Sequence, residues 1–378
     1  MLVSQHDEKA VYCVIYRTSS IGDVVLSSVV LDLLAKLPER YFVYWLGRQP
    51  SADLLSMAYP DVHMLKIRQT DTVATIEMMR KDINKIDFIL DLQKNIRSQI
   101  ICSGLSKIFK APVFGWQKRT IQRSLMVITS RLWGRTQAAS PKIQTCENYQ
   151  FQSMLECAVR ALQRRGDGPS IAATANNAEP RLPVDLTSTP PAWIKELKFG
   201  RWLAVAPGAS HETKRAPTQL FVSILQELLK TSDRMTKVPI NLLFLGDQRD
   251  REYCKQITDD ISWPHSVLNL AGKLSLFESG LACSESDLLL SNDSSLAHIS
   301  EAVSTPVAVL FGPTAEAFGF APRLKASKAF SSKLGCRPCS KHGKASCRYG
   351  DQLCFLSIPA VSISEFIYER VANADEHV

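Results

Sequence analysis

No run of about 18 consecutive apolar residues occurs in this chain, so the sequence offers no segment that would cross a bilayer as a helix. It does not open on a basic segment followed by a hydrophobic signal core. Together these absences point to a cytoplasmic protein. The Gly-x-Gly-x-x-Gly dinucleotide fingerprint and the Gly-x-x-x-x-Gly-Lys-Ser/Thr phosphate loop are both missing, which disfavours a dehydrogenase or a P-loop enzyme. No carboxylates cluster in a pattern suited to magnesium, and no sequence repeat links the two halves. Paired cysteine spacing is also absent from Cys13, Cys102, Cys146, Cys157, Cys254 and Cys283. In a reducing compartment such residues behave as small buried hydrophobes.

What is present is an alternation of two periodicities. The chain of 378 residues is 45% hydrophobic and 22% charged, which fits a soluble protein of two ordinary domains. Apolar runs at 11–16, 41–46, 62–67 and 88–92 predict strands, separated by helical patterns at 24–37, 52–57 and 72–83. After a helical stretch at 148–164 comes 166–191, rich in Gly, Pro, Ala, Asn, Ser and Thr, a composition that predicts a linker without helix or strand. The alternation then restarts, with strands at 203–206, 241–245, 267–270, 287–290 and 307–311. Helices are expected at 218–230, 249–261, 276–283 and 295–303. The expected class is α/β, with two Rossmann-like domains of parallel strands and covering helices at 1–180 and 192–358. An amphipathic segment at 362–374, within 359–378, is expected to be a helix packing back on the body.

The net charge of +8 is unevenly spread. Lys118, Arg119, Arg123, Arg131 and Arg135 share one segment, and Lys333, Arg337, Lys341, Lys344 and Arg348 another. Basic faces attract phosphate-rich partners, whether nucleic acid, anionic lipid or a phosphorylated glycan.

Polar, glycine-containing turns follow several of the expected strands, where α/β folds bind ligands. Ser20-Ile-Gly-Asp23 lies between the first strand and its helix, so Asp23 either caps that helix or faces the cleft, or does both. Val205-Ala-Pro-Gly-Ala-Ser-His-Glu-Thr-Lys214 puts Gly208 and Lys214 at the carboxyl edge of the second sheet, as an anion site. In Ser291-Asn-Asp-Ser-Ser-Leu-Ala-His298, Asp293 is expected to cap a helix and leave the N–H groups of Ser294 and Ser295 to a phosphate, with His298 one turn on. Leu245-Gly-Asp-Gln-Arg-Asp250 offers Gly246 and Asp247 or Asp250 to a ribose, and Phe311-Gly-Pro-Thr314 ends the next strand. A nucleotide pocket, with Asp23 facing it across a cleft, is the expectation.

These segments resemble glycosyltransferase family nine, the ADP-heptose:lipopolysaccharide heptosyltransferases. The resemblance rests on Ser20-Ile-Gly-Asp23, Asp91-Leu-Gln-Lys-Asn-Ile-Arg-Ser98, Pro207-Gly-Ala-Ser210 with Lys214, Asn292-Asp-Ser-Ser-Leu-Ala-His298 and Leu310-Phe-Gly-Pro-Thr314, in the family's order along nearly the whole chain. It implies a GT-B fold of two facing Rossmann-like domains and an inverting, metal-independent transfer of heptose from ADP-heptose to a lipopolysaccharide inner-core acceptor. Asp23 would be the general base and Lys214 would steady the departing diphosphate. Gly208, Ser210, Gly246, Asp250, Asp293, Ser294, Ser295, His298, Gly312 and Thr314 would hold the donor, and Ser20, Gly22, Lys94 and Arg97 the lipid-linked acceptor. No cofactor and no nucleic acid is implied. The implied location is peripheral, at the cytoplasmic face of the inner membrane, with 118–135 as the membrane-facing patch. Another nucleotide sugar, an epimerase or a non-catalytic binding relative is the alternative. The chain departs from the family in carrying Ser295 where glycine is common, and Arg215-Ala-Pro217 where an aromatic residue follows the lysine.

Cys336, Cys339, Cys347 and Cys354 form a separate group. The Cys-x-x-Cys half is usual in zinc sites, whereas Cys347-x6-Cys354 is too open for the ordinary second half. A structural zinc and a structural or redox-sensitive loop are both open, with no metal expected in catalysis.

Overall fold

The structure, a computed structural model, describes residues 1–3, 9–67, 72–135, 138, 141–166, 169–184, 191–234 and 238–372. The chain divides into two compact units, one of Met1–Lys118 with Gln150–Asp185 and one of Arg119–Tyr149 with Leu186–Val378.

The first unit is built on a parallel sheet of β1 (Val11–Tyr16), β2 (Tyr41–Gly47), β3 (His63–Lys66), β4 (Phe88–Asp91) and β5 (Val113–Gly115), in the order β3-β2-β1-β4-β5. A parallel sheet is covered by helices on both faces, so its central strands read as unbroken apolar runs. All seven residues of β2 are buried, for that reason. The order reverses between β1 and β4, where both strands point their carboxyl ends at the same edge.

The helix expected at 24–37 is two helices, Ile21–Ser27 and Val29–Lys36. Ser27 and Ser28 donate their hydroxyls to the carbonyls of Val24 and Val25, each at 2.7 Å, a local bond that competes with the helical ladder. A second correction concerns the segment at 166–191. Pro169–Ala175 is helical, because its alanines favour a helix and Ile171 is fully buried at the contact with the helices Val29–Lys36 and Gln150–Gln163. Positions 167–168 and 185–190 of that segment lie outside the described residues.

In the second unit β6 (Arg201–Ala206), β7 (Ile240–Phe244), β8 (Val267–Asn269), β9 (Leu288–Asn292), β10 (Val307–Phe311) and β11 (Lys328–Ser331) form a parallel sheet in the order β11-β10-β9-β6-β7-β8. The reversal falls between β6 and β9. One face is covered by Thr218–Arg234 and by Ala360–Ala372, whose Ile363, Ile367 and Val371 form a buried stripe at helical spacing. On the other face Leu276–Ser284 and Ser295–Ala302 contribute Ala282, Cys283 and Ala297 to the apolar layer. Residues 373–374 of the helix expected at 362–374 lie outside the described residues.

Residues 119–149, expected in the amino-terminal domain, group with the second unit. Val127 and Ile143 pack with Ala315 and Phe318, and Ser130 donates to the Arg337 carbonyl at 2.8 Å. Three arginines of this segment are bonded within the second unit: Arg123 donates to the Phe318 carbonyl, the exposed Arg131 to that of Cys339, and Arg135 pairs with Asp351.

Candidate active site

In the first unit the reversal point gathers the ends of β1 and β4. Arg17, directly after β1, is 3% exposed, and its Nη2 lies 2.6 Å from Asp23 Oδ2. Its Nη1 donates to the Leu92 carbonyl just beyond β4, so one guanidinium ties both strand ends together. Ser20 donates to the same Asp23 Oδ2, from its hydroxyl at 3.0 Å and from its N–H at 3.4 Å. Asp23 thus completes a capping box on Ile21–Ser27, and the bonds it makes among the described residues all fall on Oδ2. Ser20 is the cap residue, and Gly22 lies within the first turn of that helix.

Asp91 ends β4 and accepts from the N–H groups of Gln93 and Lys94 at 3.1 and 2.7 Å and from Ser98 Oγ at 2.8 Å. Lys94 adopts a left-handed backbone with φ 48° and is exposed. Arg97 follows one helical position after Ile96, where the helix Ile96–Phe109 begins under an Asn95 cap. Gln93 Oε1 accepts from the N–H groups of Thr18 and Ser19 at 3.1 and 3.2 Å, and so holds the turn that carries Ser20. Arg17, Gln93 and Lys118 were not named as site residues from the sequence. Lys118 Nζ donates to the Lys94 carbonyl at 3.1 Å and lies 5.9 Å from the Trp116 ring centre. Arg17 had one available signal, as the charged residue that directly follows a strand of apolar residues.

In the second unit the turns expected to hold an anion meet at the reversal point between β6 and β9. Lys214 Nζ lies 2.8 Å from Asp293 Oδ2, and Thr314 Oγ1 donates to that oxygen at 2.7 Å. Three turns, after β6, β9 and β10, therefore meet on one carboxylate. Asn292 bridges the same turns, donating to the Pro207 carbonyl at 2.6 Å and accepting from Ala216 N–H at 3.2 Å. Burial pushes the Asp293 carboxyl up, but the Lys214 ammonium beside it outweighs burial, helped by Thr314, and holds it below the ordinary range.

One expectation changes here. Asp293 does not cap Ser295–Ala302: Ser294 occupies the cap position, and the Asp293 carboxylate is taken by Lys214 and Thr314. The Lys214 side chain is 14% exposed, and its ammonium has donors to spare beyond Asp293. Ser294 and Ser295 open the helix, whose first N–H groups have no intrahelical acceptor. His298 is buried on it, with its ring 5.9 Å from that of Phe320.

The turn after β7 is a support. Asp250 accepts from Arg215 Nη2 at 2.9 Å on Oδ1 and from Asp247 N–H at 3.1 Å on Oδ2, so both oxygens are already engaged. Burial pushes its carboxyl above the ordinary range. A Cβ on Gly208 would sit 2.2 Å from Asp250 Oδ2, and one on Gly246 would sit 2.7 Å from Asp250 Cβ. Both glycines are required by close approach, not by turn conformation. A Cβ on Gly312 would meet the Phe355 ring at 2.3 Å. Ser210 is exposed in the turn after Gly208. Arg215, where the family often carries an aromatic, lies 5.1 Å from the Tyr253 ring centre, so an aromatic reaches this wall from another element.

The model of glycosyltransferase family 9 (heptosyltransferase) matches residues 78–349, a range that holds the turns carrying Lys214, Asp293 and Thr314. The chain belongs to glycosyltransferase family 9. It is 22% identical over 311 residues to lipopolysaccharide heptosyltransferase 1 of Campylobacter coli, covering 79% of this chain and 83% of that protein. Its fold is similar to that of the ADP-heptose lps heptosyltransferase II of E. coli, with a TM-score of 0.64 at 16% identity over 97% of this chain and 99% of the other. A second similar structure is E. coli heptosyltransferase WaaC with ADP, with a TM-score of 0.58 at 17% identity, covering 95% and 99%.

Cys336, Cys339, Cys347 and Cys354 line one cavity in the second unit, all with free thiols. Among the described residues no three His, Cys, Asp or Glu side chains are grouped as they would be around a metal ion.

Proposed function

We propose that this protein is an inverting heptosyltransferase that moves heptose from ADP-heptose to a lipopolysaccharide inner-core acceptor. The observation that carries it is the convergence of Lys214, Asp293 and Thr314 at the reversal point of the second sheet. A leaving diphosphate gains negative charge as the glycosidic bond breaks. Lys214, pinned by Asp293, and the open N–H groups of Ser294 and Ser295 are fixed donors for that charge. Such preorganised donors act mainly in the transition state.

In the first unit Asp23 takes the proton from the attacking acceptor hydroxyl, with Oδ1 as the accepting atom and Arg17 fixing the carboxylate through Oδ2. Ser20, Gly22, Lys94 and Arg97 supply the acceptor side, the two basic residues suiting a phosphorylated core sugar. One direct displacement inverts the anomeric carbon. The bound state of WaaC, with ADP, supports adenine nucleotide as the carrier. Because Lys214 supplies the positive charge, the transfer proceeds without a metal. Calorimetry in excess EDTA tests this donor reading: ADP is expected to bind more tightly than UDP or GDP, and preference for a uridine nucleotide would contradict it.

Peripheral membrane contact completes the proposal. Among the described residues no helix is long and apolar enough to cross a membrane. On the helix Thr120–Trp133, however, Ile121, Leu125, Ile128 and Leu132 are all exposed, from 51% to 79%, and their spacing puts them on one stripe. Trp133 at its end and the exposed Arg131 beside it suit the interface of an anionic bilayer. This apolar stripe with Arg131 is the membrane-facing feature within the expected patch 118–135. Cosedimentation with phosphatidylglycerol vesicles is expected for the native chain and is expected to be lost in Ile121→Ser/Leu132→Ser, while equal sedimentation of the two proteins would contradict the assignment.

A further inference from the structure

The turn after β10 is gripped by a later segment of the chain. Arg337 is 1% exposed, and its guanidinium donates from Nε to the Gly312 carbonyl at 2.6 Å, from Nη2 to the Thr314 carbonyl at 3.0 Å and from Nη1 to the Ser332 carbonyl at 2.6 Å. The carbonyl between the first two is that of Pro313, which accepts from the N–H groups of Cys339 and Ser340 at 3.0 and 3.2 Å. Three consecutive carbonyls of the turn are thus bound to residues 337–340. Thr314, whose hydroxyl donates to Asp293 Oδ2 at 2.7 Å, is the last of them.

The same segment runs on to the other partner of that carboxylate. Ser340 Oγ accepts from Gly343 N–H at 2.8 Å and donates to the Gly343 carbonyl at 2.9 Å, which closes a tight loop. A Cβ on Gly343 would come within 3.0 Å of Lys214 Cγ. Lys344 N–H donates to Thr213 Oγ1 at 2.7 Å, and Thr213 N–H donates to the Lys344 carbonyl at 3.1 Å. Lys214 and Thr314 are therefore both backed by residues 337–344.

A cation at position 337 is costly to bury. An apolar side chain of similar volume would fill the space without removing a charge from water, so the guanidinium is justified only by the bonds it makes. Glu316 Oε2 lies 3.5 Å from Nη2, and both side chains are at most 3% exposed. The planar fork fixes three carbonyls at set angles, which neither an apolar residue nor the single ammonium of a lysine reproduces.

We propose that Arg337 is a positioning residue of the anion site: its guanidinium sets the Gly312–Thr314 turn so that the Thr314 hydroxyl stays on Asp293, which in turn aims Lys214. The effect on nucleotide binding rests on the donor site proposed above. The effect on Asp293 does not, because the Thr314 hydroxyl favours the charged carboxylate whatever the ligand.

The test compares the native full chain with Arg337→Lys, Thr314→Val and the double variant. Calorimetry measures ADP binding, and nuclear magnetic resonance of 13C-labelled aspartate carboxyls follows the titration of Asp293, its signal assigned through Asp293→Asn. Arg337→Lys is expected to bind ADP about tenfold more weakly, the loss of one hydrogen bond to a charged group, and to titrate at Asp293 at higher pH. Thr314→Val is expected to show the same two changes, and the double variant to be no worse than the weaker single one. Losses that multiply in the double variant, an Asp293 titration that does not move in Arg337→Lys, or ADP binding unchanged where the titration does move, would overturn the proposal. Arg337→Gln, which keeps a planar donor, replaces the lysine variant if that protein does not fold; failure of both to fold would make Arg337 a residue of the core and overturn the proposal as well. If the native chain binds no ADP while Asp293 still shifts in both single variants, the donor reading fails and the positioning role stands.

Discussion

Asp23→Asn is expected to lower kcat by about 10²–10⁴-fold, the range that a positioned general base supplies. The substitution keeps an oxygen acceptor for Arg17 and Ser20 but removes the carboxylate proposed to take the proton. ADP affinity is expected to be unchanged, because the proposed diphosphate donors belong to the second unit. Arg17 is nearly fully buried against this carboxylate, so the variant also loses the partner of a buried charge. Thermal melting therefore accompanies the kinetics, and the rate is compared only below the variant's own melting transition. Full transfer activity in a folded Asp23→Asn protein would remove the proposed base.

Lys214→Met carries the second large effect. Loss of one fixed donor at a site of developing charge costs about 10²–10³-fold in kcat, or roughly 3–4 kcal/mol. It also strands Asp293, which is 8% exposed, without its cation, a change that destabilises buried ion pairs by about 3–5 kcal/mol. Lys214→Met/Asp293→Asn is expected to recover much of the stability and none of the rate, which separates the two roles of the lysine. The pH dependence follows from the depressed Asp293 carboxyl. Its contribution to stability is complete above the unfolded carboxylate value of about 3.9 and is lost as the pH falls through the lower folded value. Melting curves from neutral pH downward should show a steeper acid loss in the native chain than in the double variant. Parallel curves would contradict the linkage.

The sequence revealed the architecture where apolar runs were long and buried. β1 and β10 fall at their expected residues, because every side chain in them but Val11 is buried and the period is unbroken. β5 and β11 escaped notice: they have three and four residues, lie at sheet edges and are half exposed, so Val113-Phe-Gly115 and Lys328-Ala-Phe-Ser331 carry no run to detect. The affiliation of 119–149 was equally hidden, since it depends on Val127 and Ile143 meeting residues nearly two hundred positions away. At the candidate site, glycine turns after apolar runs marked loops that the fold brings together on Asp293. Which atoms pair there was beyond reach. Asp293 looked like a helix cap in one dimension, and only the approach of Lys214 and Thr314 from two other turns makes it an ion-pair anchor. Asp250, expected to face a ribose, also accepts from Arg215 and from the Asp247 N–H, partners that no sequence pattern names. Arg17 is the converse case, a residue without a motif that the fold places on the carboxylate.

The most direct measurement incubates the purified protein with ADP-heptose and a lipopolysaccharide inner-core acceptor in EDTA, then follows ADP release and determines the anomeric configuration of the product by nuclear magnetic resonance. One heptose added per ADP released, with the configuration opposite to that of the donor, is the predicted result. Retention of configuration, or turnover only with a different nucleotide sugar, would contradict the account.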